Sequence, residues 1–323
     1  MSPRIKAPKI QKTPVAINRD AAAAPAWPSF KGNAQVVGTS PSGRVTIYVD
    51  ATLGAQAQQN AQDLLNDADR VVNSNDAIFG TTGGPVSVIV FALNNDTDGT
   101  GGADHMGCDY STGNAIEVDA SYGSSPRVSA LFEAELSECS MNGNLCGLST
   151  GEALSRWCAT IIGNNALADF ATAPTWLQDG EQDFVNNTDN TDGNPDSTGC
   201  GMAFISWLMS QGQGLEKIAP AMVALGDAGT FAQLYAMLMA DDAGNAWPKF
   251  QSAIQALPNG VTNDDPFGAL PASVNNIAKA AKALSAVARP PAAKAAMAMG
   301  VCQPKSKRLL PPNKTQKRPS KSA

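Results

Sequence analysis

Stretches of patterned apolar residues, separated by Gly/Asn/Asp-rich segments, lay out most of the secondary structure of this chain. Residues 44–50 (RVTIYVD) alternate with period two and predict a strand. Ala55–Val72 is rich in helix formers and lines up Leu64, Leu65, Ala68, Val71 and Val72 as one apolar stripe, which predicts a helix. Pro85–Leu93 (PVSVIVFAL) is a continuous β-branched run, the pattern of a strand buried on both faces. After the turn-rich segment Asn94–Gly102, Ala115–Ala120 reads as a short strand, and Pro126 opens a helix through Cys139. From there the pattern is helical only: Gly151–Ile162, Gly199–Gln211, Gln213–Leu225, Phe231–Met239 and Trp247–Ala256. The predicted class is α+β, with a small mixed sheet in the N-terminal half and a helical C-terminal half. Pro258–Ala272 reads as a linker and Asn275–Val287 as an Ala/Lys-rich helix.

Charge divides the same chain differently. Residues 1–43 carry six basic side chains against Asp20 alone, and residues 289–323 carry nine Lys/Arg and no acid. The stretch between them therefore holds 28 of the 29 acidic residues. The expected organisation is a disordered basic tail (1–43), an acidic globular domain (44–256), a linker with a short helix (257–288) and a second disordered basic tail (289–323). Such a body repels phosphates, so nucleic acid is not expected at its cleft. The chain begins without an apolar signal-like region, and no apolar run approaches 18 residues, so neither a secretory leader nor a membrane span is expected.

The lone histidine, His105, excludes any site that needs two imidazoles from one chain. It lies in the Gly/Asp-rich stretch 101–107 and reads as an exposed loop residue. The six cysteines form no C-x-x-C pair. Cys139 and Cys146, seven apart across a Gly/Asn segment, suit a small disulfide loop, with reduced buried thiols the alternative. No phosphate-binding glycine loop and no G-x-S-x-G nucleophile elbow is present. Asn94-Asn-Asp-Thr-Asp-Gly99 starts like an EF-hand loop, but His105 falls where its closing glutamate belongs.

Three segments stand out for their order and spacing: Leu131–Glu138 (LFEAELSE), Ala173–Val185 (APTWLQDGEQDFV) and Ser197–Ile218. Together, over residues 44–256, they resemble the gluzincin zinc metallopeptidases. In that superfamily a helix bears H-E-x-x-H after a short edge strand. A later P-x-W-L-x-E-G-x-x-x-(Tyr/Phe) segment then supplies a carboxylate ligand, and a G-x-x-F-(I/L)-x-(W/Y)-L helix follows. Pro174, Trp176, Leu177, Gly180 and Phe184, then Gly201, Phe204, Trp207, Leu208 and Gly212, fit the second and third parts. The resemblance implies a zincin-like domain with Glu135 at the catalytic base position and a cleft around Ala134, Glu138, Asp179, Glu152 and Arg156. At the metal positions, however, the two histidines are Ala134 and Glu138, and the third ligand is Asp179. The expected reading is a non-catalytic homologue with a degenerate zinc site and no bound cofactor, holding a protein or peptide in the former active-site cleft. Two rivals stand beside it: an active hydrolase using Glu135, Glu138 and Asp179, with or without a hard divalent ion, and an interaction protein working through its acidic body and basic tails.

Read from the residues alone, Glu133, Glu135 and Glu138 form an acidic exposed helix face. Glu152 and Arg156 are an i, i+4 pair of favoured orientation, and Arg156 is also placed to neutralise the glutamates. Arg127 is a second candidate for a buried ion pair. The loop 188–199 offers Asp189, Asp192, Asn194 and Asp196 as oxygen donors for calcium.

Overall fold

The computed structural model describes residues 24–270. Among them are five strands in a mixed sheet of order β1-β2-β3-β5-β4, and eight α-helices. β2 (Val45–Asp50), β3 (Val86–Phe91) and β5 (Ala115–Asp119) run parallel in the middle. β1 (Ala34–Thr39) and β4 (Ala103–His105) close the two edges antiparallel. Parallel neighbours need a crossover, which α1 (Gly54–Phe79) supplies between β2 and β3. The predicted helix stops at Val72, yet α1 continues seven residues to Gly80, which caps it at φ 68°. Ser74 and Asn75 look like the end of the apolar stripe in sequence. Both are buried, and Asn75 spends its amide inside the protein, so the helix has reason to continue.

Both faces of the sheet are covered. Val45, Ile47, Val49, Val88, Val90, Ile116 and Val118 point into the main core under α1 and α2 (Ser125–Ser140). Tyr48, Ile89 and Phe91 point the other way, where Trp27 and Phe30 pack on them edge-to-face. This corrects the expectation of a disordered tail through residue 43. Residues 24–43, in which Lys31 is the single charged side chain, pack on the sheet because two aromatics and an edge strand give them something to bury. Residues 1–23 lie outside the described residues.

The helical half consists of α3 (Ser149–Ile162), α4 (Ala173–Gln178), α5 (Pro195–Ser210), α6 (Leu215–Leu225), α7 (Phe231–Met239) and α8 (Ala246–Gln255). Phe250 on α8 is its aromatic hub, stacked on Trp176 and in ring contact with Phe204, Trp207, Trp247 and Phe267. The described part of the expected linker is pinned to this half. Asp264 accepts the Thr172 and Ala173 N–H groups at 2.8 and 2.7 Å, and Asp265 accepts the Ser206 hydroxyl at 2.6 Å. The predicted helix at 275–287 and the basic tail 289–323 lie outside the described residues.

The cysteine pairing also differs from expectation. Cys146 bonds Cys108, with Cα atoms 5.8 Å apart, while Cys139 is a buried thiol outside that disulfide. Cys139 sits within α2 and directs its sulfur to the Gly113 carbonyl, away from the Asn/Gly loop that carries Cys146.

Candidate functional site

Helix α2 is buried from Arg127 through Cys139, so its acidic residues face protein and not solvent. The expected exposed face of Glu133, Glu135 and Glu138 is therefore corrected. Glu133 turns toward α1, accepting hydrogen bonds from Asn75 Nδ2 and Ser137 Oγ, both at 2.8 Å. Burial pushes its carboxyl up to about 8 against the pull of those donors. Glu135 and Glu138, three residues apart and hence neighbours on the helix surface, turn toward the sheet edge.

There they meet His105. In β4 the register sets Ala103 against Val118, Asp104 against Glu117 and His105 against Ile116. Strand alternation puts His105 on the helix-facing side with the core residues Ala103, Ile116 and Val118. Its Nε2 lies 2.9 Å from Glu138 Oε2 and 3.6 Å from Glu135 Oε2. Side-chain exposures are 0% for His105, 3% for Glu135 and 5% for Glu138. Ser155 on α3 places its hydroxyl 3.5 Å from Glu138 Oε1. Reading His105 as an exposed loop residue is thus corrected. The strand that buries it has three residues, too few for period-two patterning to register in the sequence.

The other expected site residues divide. Ala134 is buried on α2 beside the pair, and Glu152 is buried on α3. Arg156 directs its guanidinium to Asp264 at 3.0 Å, to Thr172 Oγ1 at 3.2 Å and to the Phe170 carbonyl, not toward the glutamates of α2. Arg127 finds its partner in Asp169, which it grips through two bonds of 2.7 and 3.0 Å while lying over the Phe170 ring. Asp179 is exposed at the end of α4. Its electrostatic neighbour is Asp196, whose carboxyl is raised by burial and then by the Asp179 charge. Asn194 caps α5 by accepting the Asp196 N–H and donates to Asp189 Oδ2 at 2.7 Å, so this loop is held by its own side chains. Among the described residues, the group whose potential metal-ligating atoms converge, all within 4.8 Å, is His105, Glu135 and Glu138.

No protein-family model matches the chain. No curated protein matches it either. Among solved structures it is similar to yeast LTA4 hydrolase in complex with bestatin, at 13% identity and a TM-score of 0.38. The match covers 70% of this chain and 38% of that one, so the chain spans less than two fifths of that protein's length.

Zinc held in the gluzincin manner does not fit these residues. Position 134 presents a methyl group, and the carboxylate of Asp179 sits at the surface, outside the converging group. What the arrangement offers instead is one imidazole nitrogen against two carboxylates, supplied by an edge strand and a buried helix.

Proposed function

We propose that this protein is a metallopeptidase-like homologue of zincin-like architecture whose peptidase zinc site is degenerate, and that it binds a protein or peptide without cleaving it. The observation that carries this reading is the inward turn of Glu135 onto His105 at 3% exposure. A general base must reach the water or substrate proton it removes. Glu135, at the catalytic base position of the resemblance, is spent inside the protein. Ala134 supports the same reading, since it can ligate nothing.

The peptide preference rests on the resemblance to peptidases; β4 ends the sheet on that side, and its three residues are themselves buried. Met106, next to His105, is one of three large apolar side chains exposed among the described residues, at 38%.

The test is turnover of casein and of a mixed peptide library by the full chain and by Glu135→Gln. Neither is expected to cleave. Cleavage by the wild type that disappears in Glu135→Gln would sink the non-catalytic reading and favour the hydrolase.

A further inference from the structure

We propose that His105, Glu135 and Glu138 hold one divalent transition-metal ion, at a site built between β4 and α2 whose ligand set shares only the Glu138 position with the gluzincin one. The proposal does not depend on whether the groove binds peptide. It begins from distance. An ion with ligands at about 2.0–2.2 Å in tetrahedral array sets adjacent ligand atoms about 3.3–3.5 Å apart. The separations from His105 Nε2, 2.9 and 3.6 Å, bracket that spacing. The three donors are therefore gathered closely enough for one ion to be held by small side-chain adjustments.

Charge is compatible with this arrangement: a divalent ion on a neutral imidazole would balance the two carboxylates, which lie at 3% and 5% exposure.

The frame is rigid and prearranged. β4 is clamped to the far end of α2 by the Cys108–Cys146 disulfide, three residues beyond His105. Behind the ring, Nδ1 is buried and faces the gap left by Gly113. A Cβ there would stand 3.0 Å from Nδ1 and from the Met106 carbonyl oxygen, and 3.1 Å from that of Asp109. Nδ1 is buried without a protein hydrogen-bond acceptor, so the second N–H of a metal-bound His105 would find its acceptor through a small ring adjustment toward these carbonyls. One imidazole with two carboxylates favours zinc, manganese or iron over calcium or magnesium, which prefer oxygen alone.

The histidine count makes the test unusually clean. The chain contains one histidine, so in untagged full-length protein any imidazole nitrogen coupled to a bound ion is His105. The chelator-stripped protein is titrated with Zn²⁺ by calorimetry, and with Cu²⁺ as a paramagnetic probe by pulsed EPR. One Zn²⁺ per chain is expected, with a single imidazole signal on Cu²⁺ that excess Zn²⁺ removes. His105→Gln and Glu138→Gln should each weaken Zn²⁺ at least about tenfold, with circular dichroism confirming that they fold, while Asp179→Asn leaves affinity unchanged. No Zn²⁺ uptake at millimolar metal, a Cu²⁺ signal without imidazole nitrogen, or loss of binding in Asp179→Asn would each overturn the proposal. Displacement of Zn²⁺ by an equal concentration of Ca²⁺ would overturn the transition-metal assignment. None of these results touches the non-catalytic reading, and Glu135-dependent cleavage would sink that reading without touching the affinity measurement.

Discussion

Glu117 shows how far a single side chain shapes this protein. It lies in the middle of β5, fully buried on the sheet face opposite the helices. Its carboxylate accepts the N–H groups of Ser29 and Phe30 at 2.9 and 2.6 Å and the Ser29 hydroxyl at 2.6 Å. Those three bonds hold the turn that brings Trp27 and Phe30 onto Tyr48 and Phe91. A buried N–H left without an acceptor costs about 1–3 kcal/mol, and Glu117→Ala strands that of Phe30 and also removes the acceptor of the exposed Ser29. We expect that variant to lose about 3 kcal/mol in urea unfolding and to become sensitive to protease near residues 24–33. Glu117→Gln, which keeps one amide oxygen for the two N–H groups, should lose about 1 kcal/mol. Equal stability of Glu117→Ala and wild type would show that the segment is not held by this carboxylate.

At the scale of elements, the disulfide is the joint that matters for the site. It ties the loop after β4 to the loop after α2, and so fixes the strand bearing His105 to the helix bearing Glu135 and Glu138. For a sequence separation of 38 residues, the chain-entropy account gives about 4 kcal/mol of stabilisation. The double variant Cys108→Ser/Cys146→Ser should therefore unfold at clearly lower denaturant, and its Zn²⁺ affinity should fall along with the lost alignment. A non-reducing peptide map should recover Cys108 linked to Cys146, with Cys139 alkylated only after unfolding. A Cys139–Cys146 crosslink would contradict this arrangement. The pattern of the chain made α2 readable, with its proline at the start and Glu135 and Glu138 on neighbouring positions, as it did β2, β3 and β5. It could not reveal β1 or β4. Ala34–Thr39 sits in a basic stretch whose composition argues for disorder, and three residues of β4 carry no period. Two of the three members of the converging group were therefore legible, because a helix states its own geometry. The histidine was not, because its position is decided by pairing with β5 and by packing against α2, contacts between residues far apart in sequence.

For the described residues as a whole, the two ends act as clasps on opposite layers. Residues 27–30 close over the outer face of the sheet, and residues 264–270 close over the helical half. The second clasp centres on Asp264. One of its oxygens accepts the first two N–H groups of the α4 region, from Thr172 and Ala173, and the other pairs with Arg156 at 3.0 Å. α4 is six residues long, too short to be stable by itself, and it carries Trp176, which stacks on the Phe250 hub. Removing one partner of a largely buried ion pair costs about 3–5 kcal/mol. Arg156 and Asp264 side chains are 10% and 14% exposed, so solvent screens little of it. Asp264→Ala should then lose about 3 kcal/mol and loosen the α4–α8 contact, visible as increased hydrogen exchange in residues 172–178. Arg156→Met, which removes the charge but keeps the stem, should restore part of that loss when combined with Asp264→Ala. Were residues 258–270 a passive linker, as their Pro/Asn/Asp composition suggests, Asp264→Ala would fall within about 0.5 kcal/mol of wild type, as surface substitutions do, and the double variant would show no coupling.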